Sequence, residues 1–331
     1  MKQHTQKIIL ITSTLLFAVA TIILASALYR QHSRTDKKIT RDLGKEFIYT
    51  SPILDCEETR QSKDTAINYQ DLFSETERLA KQHGLSSFSV YYRDLNNGPW
   101  VGINEKNTFA PASLMKTSLL IAFLKHAERK PELLDFEVVA SQEYFDLALK
   151  QNFDLTTKIE KGQAYTLRQV AEIMIQDSDN VATIILSKYI IEKDFNDLLH
   201  AIGLTIENKG QDVDIRVKDF AGFFRVLYNA SYLDREMSEL ALSILAGSTF
   251  KDGIVAGINP NISVAHKYGE RSIEEKQASG VVVKERQFHD CGIVYYPSSP
   301  YILCIMTKGK DFSKETHFIQ DVSSFIYKKI K

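Results

Sequence analysis

The stretch Phe109-Ala110-Pro111-Ala112-Ser113-Leu114-Met115-Lys116 sets a serine and a lysine three residues apart at the start of an apolar helix. Side chains at this spacing lie on one helical face within reach of each other. Pro111 suits the start of a helix, where its missing N–H is not needed. The residues after Lys116 are apolar almost all round, which is typical of a buried helix. The sequence therefore predicts a fixed serine–lysine pair at a helix end whose dipole favours negative charge on the Ser113 oxygen.

This spacing is a weak signal by itself, because the chain contains it twice. Ser248 and Lys251 repeat it, but their neighbours Gly247 and Gly253 indicate a loop rather than a buried helix. Ser113 as a simple helix N-cap is the structural alternative. Context favours Ser113 as the reactive serine.

Composition restricts the class of protein. The chain has 331 residues, 44% of them apolar, and a formal net charge of -1. This is enough apolar material for the core of one large domain or two small ones. The balanced charge argues against a protein that binds nucleic acid.

The cysteines and histidines predict neither a metal site nor a disulfide framework. The three cysteines, Cys56, Cys291 and Cys304, are few and scattered. Cys291 and Cys304 fall on neighbouring predicted strands, but the register that we expect offsets them, so we predict no disulfide. Three histidines, His83, His266 and His289, have no partners at metal-ligand spacing. We expect no metal and no cofactor, and a packing or capping role for His266.

The N-terminal segment is predicted to enter a membrane. The run Ile8–Tyr29 carries no charge, and about 20 apolar residues span a bilayer. Ala25-Ser26-Ala27 resembles a signal-peptidase site, so a protein secreted after cleavage near Ala27 is the alternative to an uncleaved anchor, which we favour because the apolar run is long. Basic residues flank the run on both sides, so their distribution does not fix the orientation.

We therefore divide the chain into a cytoplasmic end with its transmembrane anchor or signal at 1–30, a polar stalk at 31–66 and a main domain at 68–331. The stalk is polar, mixed in charge and without sustained periodicity. The main domain is placed outside the cytoplasm because of the chemistry described below.

Local patterns predict an α+β domain. A helix over Tyr69–Gln82 is followed by a strand at Phe88–Tyr92, a turn at Asn97-Gly98 and a return strand from Trp100. The middle of the domain, from Ser113 to about Ala246, is mostly helical. Further strands are predicted at Ile262–Tyr268, Gly280–Lys284, Cys291–Tyr296 and Tyr301–Met306, before a last helix from about Lys314 to Lys331. Strands at both ends with helices between them indicate one sheet covered by helices.

Two further motifs follow the serine–lysine pair. Ser178-Asp179-Asn180 lies at a break between two helical patterns, and His266-Lys267-Tyr268-Gly269 ends a predicted strand just before Glu270. Taken singly, the first motif reads as a turn and the second as an ordinary edge-strand lysine. Lys251-Asp252-Gly253 is an alternative to the lysine–glycine motif at Lys267-Tyr268-Gly269, but no strand pattern precedes it.

In this order the three motifs resemble the S-x-x-K, S-D-N and K-T-G set of the class A β-lactamases and related serine penicillin-recognising enzymes. The resemblance covers residues 68–331. It implies a five-stranded antiparallel sheet flanked by helices, together with an all-helical lobe, and an active site between them.

The resemblance assigns a catalytic role to three side chains. Ser113 would be the nucleophile that accepts the acyl group, Lys116 its proton acceptor, and Ser178 the group that passes a proton to the leaving nitrogen. A neutral lysine at pH 7 costs about 4.6 kcal/mol if its pKa has the reference value near 10.4. We expect burial and the like charge of Lys267 to reduce that cost.

The same resemblance assigns substrate binding to the remaining motif residues. Asn180 would hold the substrate amide. Lys267 would attract the substrate carboxylate, and its neighbours Tyr268 and Gly269 belong to the same binding segment. The backbone N–H groups of Ser113 and Glu270 would form the oxyanion hole, and such a donor contributes about 3–4 kcal/mol to barrier lowering.

The sequence departs from the family at two places. Tyr268 stands where the family has threonine or serine, whose small hydroxyl bonds the carboxylate, and a phenol fills more space. No E-x-x-L-N motif occurs after Gly203-Leu204, and the nearby carboxylates Glu207, Asp212 and Asp214 read as solvated surface groups. The base that activates the deacylating water is therefore missing.

The sequence thus predicts a membrane-anchored serine hydrolase that is acylated by β-lactams at Ser113 and releases the product slowly. A D-alanyl-D-alanine carboxypeptidase or transpeptidase acting on the peptidoglycan stem peptide uses the same acylation chemistry. A non-catalytic cell-wall sensor is the alternative from another class. The sequence leaves the oligomeric state open.

Overall fold

An antiparallel sheet of five strands is the centre of the fold. The computed structural model describes residues 47–51, 67–96, 98–149, 155–204, 214–276 and 282–330, with the backbone alone at 274–276 and 282–284. The strands are β1 (Ser87–Asp94), β2 (Trp100–Ile103), β3 (Thr108–Phe109), β4 (Glu137–Val139), β5 (Ala164–Thr166), β6 (Ile215–Arg216), β7 (Val264–Lys276), β8 (Val282–Val294) and β9 (Tyr301–Gly309). The sheet has the order β2-β1-β9-β8-β7, and two short pairs, β3 with β6 and β4 with β5, lie apart from it.

The helices of the described residues fall into two groups. They are α1 (Tyr69–His83), α2 (Lys116–Arg129), α3 (Gln142–Leu147), α4 (Leu167–Gln176), α5 (Asn180–Ser187), α6 (Glu192–Ala201), α7 (Val217–Tyr228), α8 (Arg235–Ala246) and α9 (Phe312–Ile330). The first and last helices, α1 and α9, pack with each other on one face of the sheet, and the helices from the middle of the chain share a core with the other face. The expected α+β fold, with its five-stranded sheet and helical lobe, is confirmed.

Strand β9 shows why the sheet is covered on both faces. Its residues from Tyr301 to Met306 are all buried. Successive side chains of a strand point to opposite faces, and accordingly Ile302 and Met306 join the core of the helical lobe whereas Leu303 and Ile305 join the core under α1 and α9. A continuous apolar run is what a strand with two buried faces requires.

The prediction that Cys291 and Cys304 are offset was wrong. Strands β8 and β9 place the two residues directly opposite each other, with their Cα atoms 4.0 Å apart, and the structure joins them in a disulfide. We misjudged the register because β8 is longer than its sequence pattern indicates. The segments Gly280–Lys284 and Cys291–Tyr296, predicted as two strands, belong largely to this single strand.

The N-terminal prediction lies mostly outside the described residues. The run Ile8–Tyr29 is not among them, and no helix within the described ranges is long and apolar enough to cross a membrane. Residues 47–51, predicted as part of the stalk, belong to the same unit as the main domain. The Glu239 carboxylate of α8 accepts hydrogen bonds from the backbone N–H groups of Tyr49 at 2.6 Å and Thr50 at 2.7 Å. This part of the stalk is therefore docked on the domain.

Candidate active site

Ser113 lies in a tight turn that precedes the buried helix. Residues Ala112–Met115 form a 3₁₀ turn, and α2 begins at Lys116. Ala112 has φ of 49°, a left-handed conformation that costs a non-glycine residue about 1–3 kcal/mol. Such strain persists only where the surrounding structure holds the backbone. The surrounding structure here holds the half-buried Ser113 at the edge of the sheet.

Two side chains of β8 hold the segment that leads into this turn. The Gln287 side-chain oxygen accepts from the Ala110 backbone N–H at 3.0 Å, and His289 Nε2 lies 3.0 Å from the Ala110 carbonyl oxygen. The Thr307 backbone N–H donates to His289 Nδ1 at 3.2 Å, so Nε2 carries the proton and the ring is neutral. Burial lowers the pKa of His289 to about 4. The sheet thereby fixes both backbone groups of Ala110.

Lys116 lies at the centre of a group of four oxygen atoms. Its Nζ is 3.1 Å from Ser113 Oγ, 3.1 Å from Ser178 Oγ, 2.5 Å from the Ser178 carbonyl oxygen and 2.7 Å from Asn180 Oδ1. The last two are carbonyl oxygens, which can only accept. A neutral amine gives them its two N–H groups and keeps its lone pair for a serine hydroxyl.

The surroundings of Lys116 favour this neutral form. The side chain is only 4% exposed, and burial lowers its pKa to about 7, against the opposing effect of the carboxylates of Asp179 and Glu270. Burial is thus the cause that we predicted. The like charge of Lys267 is not among the causes of the Lys116 shift, although the charge of Lys116 lowers the pKa of Lys267.

Ser178 is held by a turn between α4 and α5. It has φ of 63°, and Asp179 caps α5 by accepting from the Ala182 backbone N–H at 2.7 Å. The other oxygen of the Asp179 carboxylate accepts from the Ile159 N–H at 3.2 Å. Asp177 likewise accepts from the Thr157 N–H at 3.1 Å. The acidic residues on either side of Ser178 therefore fasten a neighbouring loop and hold the hydroxyl toward Lys116.

Asn180 connects this turn to the rim of the site. Its Oδ1 accepts from Lys116, and its Nδ2 donates to the Leu149 carbonyl oxygen at 2.9 Å. The Leu149 side chain itself is 82% exposed. The resemblance implies that the Asn180 side-chain amide binds the substrate. In the structure this amide instead donates to the backbone of Leu149, a contact that the sequence did not indicate.

The third motif lies on β7, the edge strand of the sheet, against the Ser113 turn. A Cβ atom added at Gly269 would lie 2.8 Å from the Pro111 carbonyl oxygen and 2.9 Å from the Leu114 nitrogen. Only glycine allows this approach. Residues of all three motifs therefore lie at or next to the Ser113 turn.

Lys267 and Tyr268 differ from what the resemblance implies. Lys267 is 0% exposed, its Nζ donates to the Tyr268 carbonyl oxygen at 3.0 Å, and it lies 4.0 Å from the centre of the Tyr268 ring. The Tyr268 hydroxyl is hydrogen-bonded to the Ser178 side chain. Tyr268, rather than Lys267, therefore reaches the serine–lysine cluster.

The competing motif residues are placed elsewhere. Ser248 is 1% exposed, and Lys251 donates to its backbone carbonyl oxygen, so this second serine–lysine spacing builds a loop. Asp214 is exposed, with Thr108 Oγ1 at 3.4 Å from its carboxylate. Glu207 and Asp212 lie outside the described residues.

The histidines have structural partners. His83 pairs with Asp321 at 2.8 Å, and His266 pairs with the buried Asp290 at 2.8 Å. No group of three potential metal ligands is found among the described residues. Sequence reasoning missed the contribution of Gln287 and His289, although their alternation with apolar residues along β8 placed both on one face of the sheet.

Comparison with known proteins agrees with this geometry. The family model described as "Beta-lactamase enzyme family" matches residues 71–330. No curated protein matches the chain at a significant level.

Solved structures share the fold at low identity. An acyl-enzyme complex of a PBP-A mutant with penicillin G is 20% identical, with a TM-score of 0.63 over 79% of this chain and 96% of that one. A β-lactamase from Xanthomonas campestris pv. campestris is 14% identical, with a TM-score of 0.65 over 79% and 98% of the two chains. A class A β-lactamase from Mycobacterium abscessus is 18% identical, with a TM-score of 0.63 over 78% and 99%.

Proposed function

The chain belongs to the beta-lactamase enzyme family, and from this premise we propose that it is a serine hydrolase acylated by β-lactams at Ser113 and slow to release the product. The observation that carries the proposal is the position of Lys116 Nζ, 3.1 Å from both Ser113 Oγ and Ser178 Oγ. A base within hydrogen-bond reach of a serine hydroxyl is the arrangement that activates a nucleophile.

The proposed acylation is a balanced proton transfer through these groups. Ser113 Oγ attacks the carbonyl carbon of the amide, and its proton passes to the neutral amine of Lys116. The carbon–nitrogen bond then breaks, and Ser178 gives its hydroxyl proton to the leaving nitrogen while it takes one from the Lys116 ammonium. The product is an ester on Ser113, with Lys116 neutral again. The backbone N–H groups of Ser113 and Glu270 are the proposed donors to the oxyanion.

Slow release follows from the missing deacylation motif. Hydrolysis of the ester needs a base that positions and activates water. No E-x-x-L-N motif follows Gly203-Leu204 in the sequence. Asp214, the one candidate carboxylate among the described residues of that segment, is exposed and borders Thr108. We therefore expect the acyl-enzyme to accumulate.

Acylation by benzylpenicillin tests the function. Intact-protein mass spectrometry should show one added penicilloyl group on the wild type and none on Ser113→Ala. Ser248→Ala is the matched control, because Ser248 has the same spacing to a lysine but lies in a loop, and this variant should be labelled like the wild type. An unlabelled wild type, or an adduct on any other residue, would refute the proposal.

Turnover of a chromogenic cephalosporin separates the candidates within the family. Fast hydrolysis would indicate an efficient β-lactamase, against our expectation. Stable labelling at one group per chain would also suit a peptidase acting on D-alanyl-D-alanine stem peptides, the second candidate, which the missing deacylation motif favours. Release of D-alanine from such a peptide would identify it. A folded protein that is never labelled would be a binding module.

We also propose that Ile8–Tyr29 anchors the protein in the cell membrane, with the domain outside the cytoplasm. The support is the uncharged run itself, which is long enough to span a bilayer. Protease added to intact cells should then degrade the domain. Complete protection of the domain until the cells are lysed would contradict this placement.

A further inference from the structure

Lys267 is closed off from the site by the residue that follows it. The side chain is 0% exposed, so no water-sized group touches its amine. Within the described part of the chain, Nζ has the Tyr268 carbonyl oxygen at 3.0 Å and the Tyr268 ring centre at 4.0 Å as neighbours. A ligand carboxylate is no smaller than water, and it cannot reach the side of the amine that the Tyr268 ring covers unless that ring moves.

Tyr268 is held in place by contacts on several sides. Its ring stacks on Phe250 with the centres 4.3 Å apart and packs near Phe288 at 6.1 Å. Aromatic pairs at these separations attract beyond simple burial. The hydroxyl is hydrogen-bonded to Ser178, and the residue is 6% exposed. The ring is therefore a fixed wall of the site.

The environment of Lys267 also reduces the tendency of its amine to carry a positive charge. Burial, together with the nearby charge of Lys116, holds the pKa of Lys267 well below its ordinary value. The proximity of Asp290 and Glu270 opposes this effect without being its largest cause. An amine whose pKa is lowered carries less positive charge and attracts a carboxylate less strongly.

We propose that Tyr268 determines specificity by sealing Lys267, so that the site accepts acyl donors with no carboxylate beside the scissile bond as readily as donors that carry one. The inference rests on the proposed acylation of Ser113 and narrows its substrate class. The natural substrate is then an amide or ester that needs no carboxylate beside the bond that is cleaved. The Tyr268 hydroxyl remains as the polar group that contacts Ser178.

A matched pair of probes tests the seal. Benzylpenicillin and its methyl ester share the reactive ring and differ in the carboxylate. We would measure the acylation rate of Ser113 with each probe by intact-protein mass spectrometry. The wild type should show similar rates for acid and ester. Tyr268→Thr should open the wall and favour the acid about tenfold or more, since a hydrogen bond to a charged group has at least that effect.

Two further variants separate the ring from the hydroxyl and from Lys267. Tyr268→Phe retains the ring, so it should keep similar rates for the two probes while it slows both through the lost contact with Ser178. Lys267→Gln added to Tyr268→Thr should abolish the new preference for the acid. Thermal unfolding would establish that each variant is folded.

The outcomes are distinguishable. A wild type that already prefers the acid tenfold, or a Tyr268→Thr variant without any new preference, would overturn the seal while leaving acylation intact. Folded proteins that neither probe labels at Ser113, in any variant, would overturn the proposed function and the seal with it.

Discussion

Lys116 and Lys267 are both buried lysines of the candidate active site, but their surroundings differ. Lys116 has four oxygen atoms within hydrogen-bond distance and borders the half-buried Ser113. Lys267 has one carbonyl oxygen and the face of an aromatic ring. Burial lowers the pKa of each lysine. Among the described residues, the Lys116 amine contacts the proposed nucleophile Ser113, whereas the Lys267 amine contacts the Tyr268 carbonyl oxygen and ring. We therefore propose that Lys116, and not Lys267, exchanges a proton with the reacting group.

The comparison shows that burial of a lysine does not by itself identify a functional group. Desolvation lowers the pKa of the amine in either place. The partner atoms decide whether the amine can act as a base or only fills space beneath a ring. If this distinction is correct, removal of the two amines will have effects of very different size.

Replacement of Lys116 by methionine should have the largest effect. Methionine keeps most of the volume but removes the base, and general-base catalysis contributes about 10²–10⁴-fold to rate. We expect the acylation rate of Ser113 by benzylpenicillin to fall about 10³-fold, measured by mass spectrometry over time. Lys251→Met, in the second serine–lysine spacing, is the control and should keep the wild-type rate. Equal rates for wild type and Lys116→Met would remove Lys116 from the mechanism.

Replacement of Gly269 by alanine should have the next largest effect. The added Cβ would lie 2.8 Å from the Pro111 carbonyl oxygen and 2.9 Å from the Leu114 nitrogen, so β7 and the Ser113 turn must separate. A displacement of about 1 Å can cost about 10²-fold in rate, and we expect a loss of that order in acylation.

Gly222→Ala provides the matched control for this substitution. Gly222 lies in α7, where the added Cβ would meet the Ile202 side chain at 3.3 Å and no other described residue within 4 Å. This variant should be acylated at the wild-type rate. A Gly269→Ala variant that is equally fast would show that the edge strand does not position the nucleophile.

A change of one pH unit should have the smallest effect on the acylation rate. The pKa of Lys116 is lowered to about 7, and in the proposed mechanism the neutral amine is the active form. The rate should therefore level off above pH 7 and fall about tenfold for each pH unit below it. A profile that is flat through this region would contradict Lys116 as the base.

Loss of the fold in acid must be separated from this profile. Burial lowers the pKa of His289 from 6.5 to about 4. The neutral ring therefore contributes stability above the unfolded-state pKa, and this contribution is lost as the pH falls from about 6.5 toward 4. The full loss is about 3 kcal/mol. Thermal unfolding at each pH would show where stability begins to fall.

The local patterns of the chain were enough to predict most elements and the three motifs. The helix predicted at Tyr69–Gln82 is α1, which runs from Tyr69 to His83 and is capped by Asn68 and Gly84. Caps, turns and apolar periods act between residues that are close in sequence, so they can be read without the partner elements. The order of the motifs then indicated a common site around Ser113.

Tertiary structure decided the features that depend on residues far apart in the chain. The register of β8 against β9, and with it the disulfide of Cys291 and Cys304, was fixed by pairing along the whole length of both strands. The burial of Lys267 depends on a ring that Phe250 and Phe288 hold from other elements. Lysine and tyrosine are both compatible with an edge strand, so the sequence alone does not show which of the two side chains is enclosed. Only the packing of distant residues determines which side chain contacts the serine–lysine cluster.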